Sequence, residues 1–320
     1  MGIAAAGRRG LVTRGARIAA ALALSVLAGI AQGAADSAKD CGTITGNPRA
    51  AIEACTRAIE FLSLDRPDLA KAYYSRGTEY AALGNHDRAL PDFNMAIELD
   101  PNLASAYYNR ALAWSAKGES DRALADYDTA GKLNPRDANV FLGRGAEWIA
   151  KGDYRRAMAQ YDDALRLNAE SSPAWFGRGR ARFYAGDFMM AASDLYRAHD
   201  LAPGIYSAIW LYLARKHADI PGERTLAREA GTSGSGQWPA PVVGLYLGNT
   251  PPDAVARAAS NPDPARARDL KCEASFYIGQ WHVLRGARDA AIPLLKEAES
   301  TCPRSFIERE GAAAELTRLR

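Results

Sequence analysis

Four histidines, His86, His199, His217 and His282, and four cysteines, Cys41, Cys55, Cys272 and Cys302, are the residues of this chain best suited to metal binding or nucleophilic chemistry. Their spacing supports neither. No two histidines fall in a His-Glu-x-x-His or similar ligand pattern, there is no Cys-x-x-Cys, and no cysteine lies near a histidine in sequence. A Gly-x-Ser-x-Gly elbow, a P-loop and a dinucleotide fingerprint are also missing. Gly231-Thr-Ser-Gly-Ser-Gly has the composition of a phosphate loop but lacks the lysine and a preceding strand, so it reads as a flexible turn. No catalytic, metal or cofactor residue is nominated.

What the chain does contain is a register. Arg76, Arg110, Arg144 and Arg178 recur every 34 residues, and Gly84, Gly118, Gly152 and Gly186 keep the same step. Counting Ala70 as position 1, position 8 reads Gly77, Ala111, Gly145 and Gly179, small residues where two helices must approach. Position 20 reads Ala89, Ala123, Ala157 and Ala191, position 24 reads Phe93, Tyr127, Tyr161 and Leu195, and position 27 reads Ala96, Ala130, Ala164 and Ala198. Pro101, Pro135 and Pro203 close three repeats; Ala169 breaks that column. The segment from Ala70 to about Ile205 resembles the tetratricopeptide repeat (TPR) family. That resemblance implies an all-α solenoid of helical hairpins coiled as a right-handed superhelix, in which each hairpin buries its apolar face on its neighbours.

The arginine column has two readings. Four arginines at position 7 could form a basic ladder for an acidic partner. Asp92, Asp126 and Asp194 at position 23, however, accompany three of them, and the final repeat lacks both, with Ile278 and Leu294. Internal pairs Arg76 with Asp92, Arg110 with Asp126 and Arg178 with Asp194 account for that co-occurrence better. Binding is expected instead on the concave side, which positions 2, 5, 9 and 12 face in a TPR superhelix. Position 5 reads Tyr74, Tyr108, Leu142, Phe176 and Trp210, an aromatic row suited either to holding a peptide or to packing on the next repeat. Asn109 is the sole element of a carboxylate clamp.

The ends carry other signals. Arg8, Arg9, Arg14 and Arg17 precede an apolar run from Ile18 to about Ala31, and Gly33 and Ala35 fit a cleavage site, so residues 1–35 read as a signal peptide. Leu27-Ala28-Gly29 begins like a lipobox but no cysteine follows at the required place. The expectation is a periplasmic or secreted protein without stable membrane insertion. Without those four arginines the net charge of +3 falls to near −1, which points to neither nucleic acid nor an anionic membrane surface. In an oxidising compartment the cysteines read as disulfides, and of three pairings only Cys41 with Cys55 and Cys272 with Cys302 closes each loop within one hairpin.

An irregular capping repeat is expected over 36–69, four regular repeats over 70–205, an atypical helical segment over 206–271, and a last hairpin with a capping helix over 272–320. Asp263 and Pro264 read as a helix start, and Ser305-Phe306-Ile307-Glu308 has the spacing of a capping box. Trp210 to Leu213, Leu245 to Gly248, Glu273 to Gly279 and Phe306-Ile307-Glu308 resemble the carboxy-terminal part of the NlpI-type TPR lipoproteins of Gram-negative bacteria. That resemblance implies a non-catalytic, dimeric envelope adaptor that brings a tail-specific protease and peptidoglycan hydrolases together. This chain departs from it in lacking the lipid-anchor cysteine. Gly231 to Asn261, with Trp238 expected on the surface, is the nominated dimer interface. The alternative left open is a cell-envelope processing enzyme whose active site no motif reveals.

Overall fold

The computed structural model describes residues 41, 43, 46–61, 63–232 and 237–320. The expected signal segment and the lipobox-like tripeptide lie outside the described residues, as does most of the Gly231–Gly236 turn. Every regular element among the described residues is a helix: α1 Pro48–Phe61, α2 Arg66–Ala82, α3 His86–Leu99, α4 Ala104–Lys117, α5 Ser120–Leu133, α6 Ala138–Ala150, α7 Tyr154–Leu167, α8 Ser172–Tyr184, α9 Phe188–Leu201, α10 Ile205–His217, α11 Glu223–Thr232, α12 Ala240–Tyr246, α13 Pro252–Ala258, α14 Pro264–Val283, α15 Arg288–Thr301 and α16 Ile307–Arg318. None of them is long and apolar enough to cross a membrane. The chain divides into two compact units, one through Ala113 and one from Trp114, a division inside the second regular repeat.

In the first unit α2 packs on α1 and α3; in the second, α6 packs on α5 and α7, α8 on α7 and α9, and α10 on α9 and α11. Short polar caps start these helices. Asp65, Asn85, Asp153, Ser171 and Asp187 each accept a hydrogen bond from the backbone N–H three residues on, satisfying a donor that the first turn would leave without a partner. Position 8 is small for the reason the spacing implies. A Cβ at Gly77 would lie 2.9 Å from the Phe93 ring, and one at Gly179 would lie 2.8 Å from Leu195 Cγ, so residue 24 of each hairpin fills that space.

Two arginines of the column, Arg76 and Arg178, are internal struts. Arg76 grips Asp92 with two hydrogen bonds of 2.8 and 2.7 Å, and Arg178 grips Asp194 with the same two distances. Asp194 is 2% exposed and is also bridged by Arg182. Each arginine then reaches back to the preceding hairpin at position 25: Arg76 to Thr56, Arg110 to Asn94, Arg144 to Asp128 and Arg178 to Asp162. Aromatic rings at position 4, Tyr73, Tyr107 and Trp175, lie beneath Arg76, Arg110 and Arg178. One guanidinium thus ties two hairpins together. Arg110 and Asp126 belong to different units.

Both expected cysteine pairs are at disulfide distance, with Cα separations of 4.5 Å for Cys41 and Cys55 and 5.0 Å for Cys272 and Cys302. Two expectations about the carboxy-terminal part need correction. Cys272 does not open the last hairpin: α14 begins at Pro264, capped by Asp263, and continues unbroken to Val283, with its buried residues running from Leu270 to Gln280. Ser305 also forms no capping box. Phe306 is the N-cap residue of α16, and Glu308, which the box would need, is taken by Tyr277 at 2.7 Å.

Candidate functional site: an inner helix face and the helix seated on it

Tyr74 and Tyr108, in the first unit, are half-buried, and the Tyr74 hydroxyl accepts a hydrogen bond from Asn109, which also donates to Thr78. The one clamp-like residue is therefore engaged with the preceding repeat. Leu142 and Phe176, in the second unit, are half-buried against the main core. Trp210 departs from the open row expected of it. It is 0% exposed, stacked on Phe276 at 5.6 Å and edge-on to Phe183 at 5.5 Å, and its indole N–H has no partner among the described residues.

The cause is α16. This helix covers α14 and α15, as expected of a cap, but its other side lies on α8. A Cβ at Gly311 would fall 2.8 Å from Phe276 and 3.3 Å from Trp210, so the absence of a side chain there lets the helix reach both rings. Ala312 and Ala314 are buried beside it. The residues that receive α16 occupy positions 9 and 12 of the repeats: Arg180 and Phe183 on α8 and His217 on α10. These positions were already expected to face inward, yet only position 5 read as a column, because positions 9 and 12 vary in residue type.

Polar contacts fix both ends of α16. At its start, Tyr184 Oη donates to the Ile307 carbonyl at 2.8 Å. At its end, Arg318 donates to the Phe183 and Tyr184 carbonyls at 3.1 and 2.9 Å, the first of which also accepts from the Gly186 N–H, and lies over the rings of Phe183 and Phe188. A chain of hydrogen bonds joins His217 to Gln280 at 3.1 Å and Gln280 to Glu315 at 3.2 Å, with Arg318 closing on the same carboxylate. Burial lowers the His217 pKa, so the ring is neutral at pH 7.

Glu273 and Glu308 are buried here with no ion pair among the described residues. Burial pushes Glu308 up to about 7, opposed by the Tyr277 hydrogen bond and reinforced by Glu273. Burial also raises Glu310, with Arg180 opposing. Glu273 Oε2 accepts from Tyr206 and from Trp238, each at 2.8 Å. Trp238 is thus tied inward and only half-exposed, not the surface anchor expected of a dimer interface, because its indole N–H satisfies a buried carboxylate. Beside α16 a cleft of about 400 Å³ is lined by Ser115, Gly118, Glu147, Arg180, Arg304 and Glu310, among others. The Arg180 Nε is buried there with no hydrogen-bond partner among the described residues.

One constellation could suggest hydrolysis. His199 Nδ1 is 2.8 Å from Ser207 Oγ, and its Nε2 is 3.5 Å from Glu229. The arrangement fits a structural tie better. Ser207 Oγ also donates to the Gly204 carbonyl at 2.8 Å, the contact to Glu229 is long for a group that must orient an imidazole, and His199 is 2% exposed. Among the described residues no group of histidine, cysteine and carboxylate side chains could hold a metal ion.

Comparison with known proteins agrees with this architecture. Residues 70–103 and residues 149–204 each match a family model described as tetratricopeptide repeat. A tetratricopeptide repeat protein from Parabacteroides merdae is 17% identical, with 89% of this chain and 99% of that chain covered and a TM-score of 0.56. The C-terminal part of a TPR repeat-containing protein from Cytophaga hutchinsonii is also 17% identical, over 83% of this chain and 94% of that one, with a TM-score of 0.47. YrrB, described as a TPR protein with an unusual peptide-binding site, is 17% identical over 82% of this chain and 99% of its own, with a TM-score of 0.42. At 17% identity the likeness to the Parabacteroides merdae protein concerns the fold alone. Residues 70–103 and 149–204 are therefore tetratricopeptide repeats, set in an all-helical solenoid.

Proposed function

We propose that this chain is an exported, non-catalytic scaffold of the bacterial cell envelope that binds partner proteins through its repeats, in the manner of the NlpI-type adaptors. Tetratricopeptide repeats are protein-binding modules, and the observation that carries the reading is that the inner face of α8 and α10 already holds a helix, α16, by side-chain and backbone contacts. The cysteine pairs at disulfide distance support an oxidising compartment. A tail-specific protease or peptidoglycan hydrolases are the partners this reading favours, and a homodimer is its favoured assembly. Crosslinking and affinity purification of the chain from the periplasm tests it: a defined envelope protein should co-purify across salt conditions. Recovery of the bait alone would overturn the reading. Ser207→Ala should leave partner binding unchanged, and a hydrolytic activity abolished by it would favour the enzyme alternative instead.

A further inference from the structure

We infer that the face of α8 and α10 beneath α16 is a binding site for a short helix of a partner protein, with α16 as its resident ligand in the same chain. The partner helix would carry glycine or alanine where it crosses Trp210 and Phe276, a carboxylate directed at Arg180, and a basic residue at its end. The inference rests on the scaffold reading above and supplies the class of partner.

Three observations define that chemistry. The seat admits only small residues, since a Cβ at Gly311 would already crowd Phe276 at 2.8 Å. The hold is directional and exchangeable: Tyr184 takes a backbone carbonyl of α16, and the Phe183 and Tyr184 carbonyls take Arg318, so any helix with a basic residue at that place can make the same bonds. The Tyr277 hydroxyl and the Gln280 amide give up Glu308 and Glu315 in the exchange, so the incoming helix must also present acceptors to these two buried donors. Space for an incoming chain also exists. The cleft of about 400 Å³ runs alongside α16, and Arg180 lines it with a buried Nε that no described residue bonds.

The connection to α16 suits its departure. Cys302 ends α15 at disulfide distance from Cys272, so the α14–α15 hairpin keeps its closure when α16 moves. The turn from Pro303 to Phe306 is the hinge. While α16 is seated, a competing helix sees only the small fraction of molecules in which the seat is open, and its apparent affinity is reduced by that fraction.

A fluorescein-labelled synthetic peptide of residues 305–320 tests this by anisotropy against the full chain. Arg318→Ala and Glu315→Gln both lie on α16 and leave the seat intact. Each should bind the peptide at least tenfold more tightly than the unaltered chain, because the resident helix is loosened. A peptide carrying Gly311→Leu should bind at least tenfold more weakly than the native peptide. Equal binding by altered and unaltered chains, or by the two peptides, would overturn the inference. If Arg318→Ala unfolds by circular dichroism, Glu315→Gln alone decides. Recovery of an envelope partner without peptide binding would remove α16 from the account and leave the scaffold standing.

Discussion

The α8–α9 hairpin and the α14–α15 hairpin with its covering helix solve the same packing problem in opposite ways. In the first, Arg178 spans from Asp194 to Asp162, and the buried aspartate meets a cation on each accessible side. In the second, Ile278 and Leu294 stand where the arginine and aspartate would be, and Cys272 and Cys302 lie at disulfide distance instead. Two buried carboxyl groups of that region, Glu273 and Glu308, meet tyrosine and tryptophan, while Glu297 and Glu315 meet Lys271 and Arg318. Neutral donors satisfy a carboxylate's geometry but do not balance its charge. The regular hairpin is therefore built to be permanent, and the contact of α16 is built to respond to conditions.

The largest test of that difference is covalent. With a closed loop of 30 residues, reduction of the Cys272 and Cys302 pair, or Cys272→Ala with Cys302→Ala, should cost about 3 to 4 kcal/mol in denaturant unfolding on a chain-entropy model. The α8–α9 hairpin has no such dependence on reductant, and a uniform loss across both regions by hydrogen exchange would blur the contrast.

The pH response should come next. Because Glu308 titrates at about 7 when buried, above its ordinary value of 4.5, its contribution is fully present below pH 4.5 and is lost as pH rises through 7. The groups facing α16 are Arg180 and Tyr184 on α8, Glu147 on α6, His217 on α10, and Glu273 and Tyr277 on α14. Of these His217 has its pKa lowered by burial. Stability measured from pH 5 to 8 should fall by on the order of 2 kcal/mol, and Glu308→Gln should flatten the curve.

The strut gives a comparable or smaller effect. Arg178→Leu should cost about 2 kcal/mol, since Arg182 still compensates Asp194, and Arg178→Leu with Asp194→Leu should recover part of the loss. Absence of coupling between the two would contradict the strut. Smallest is Tyr184→Phe, which removes the hydrogen bond to Ile307 and should cost about 1 kcal/mol, seen as faster exchange in α16 alone.

Much of this contrast could be read from spacing. The repeat register located α2 to α9, the co-occurrence of arginine with aspartate pointed to the Arg76 and Arg178 pairs, and the loop lengths singled out the cysteine pairs found at disulfide distance. The second partner of each arginine was invisible because position 25 changes type, from Thr56 through Asn94 to Asp128 and Asp162. Burial of Trp210 could not be read either, since it depends on a helix almost a hundred residues later. Glu308 looked like a capping residue because local spacing does not reveal that Tyr277 is near. Local pattern gives elements and hairpins; a long-range return of the chain leaves no period.

Hydrogen exchange resolved to residues 307–318 and 188–201 tests the central claim most directly, that α16 is a separable ligand of the inner face. The amides of α16 should exchange together, well ahead of those of α9, and their opening should become more frequent from pH 5 to pH 8 after correction for intrinsic rates. Exchange of α16 in step with α9, at a pH-independent opening frequency, would show instead that the helix is a fixed part of the core.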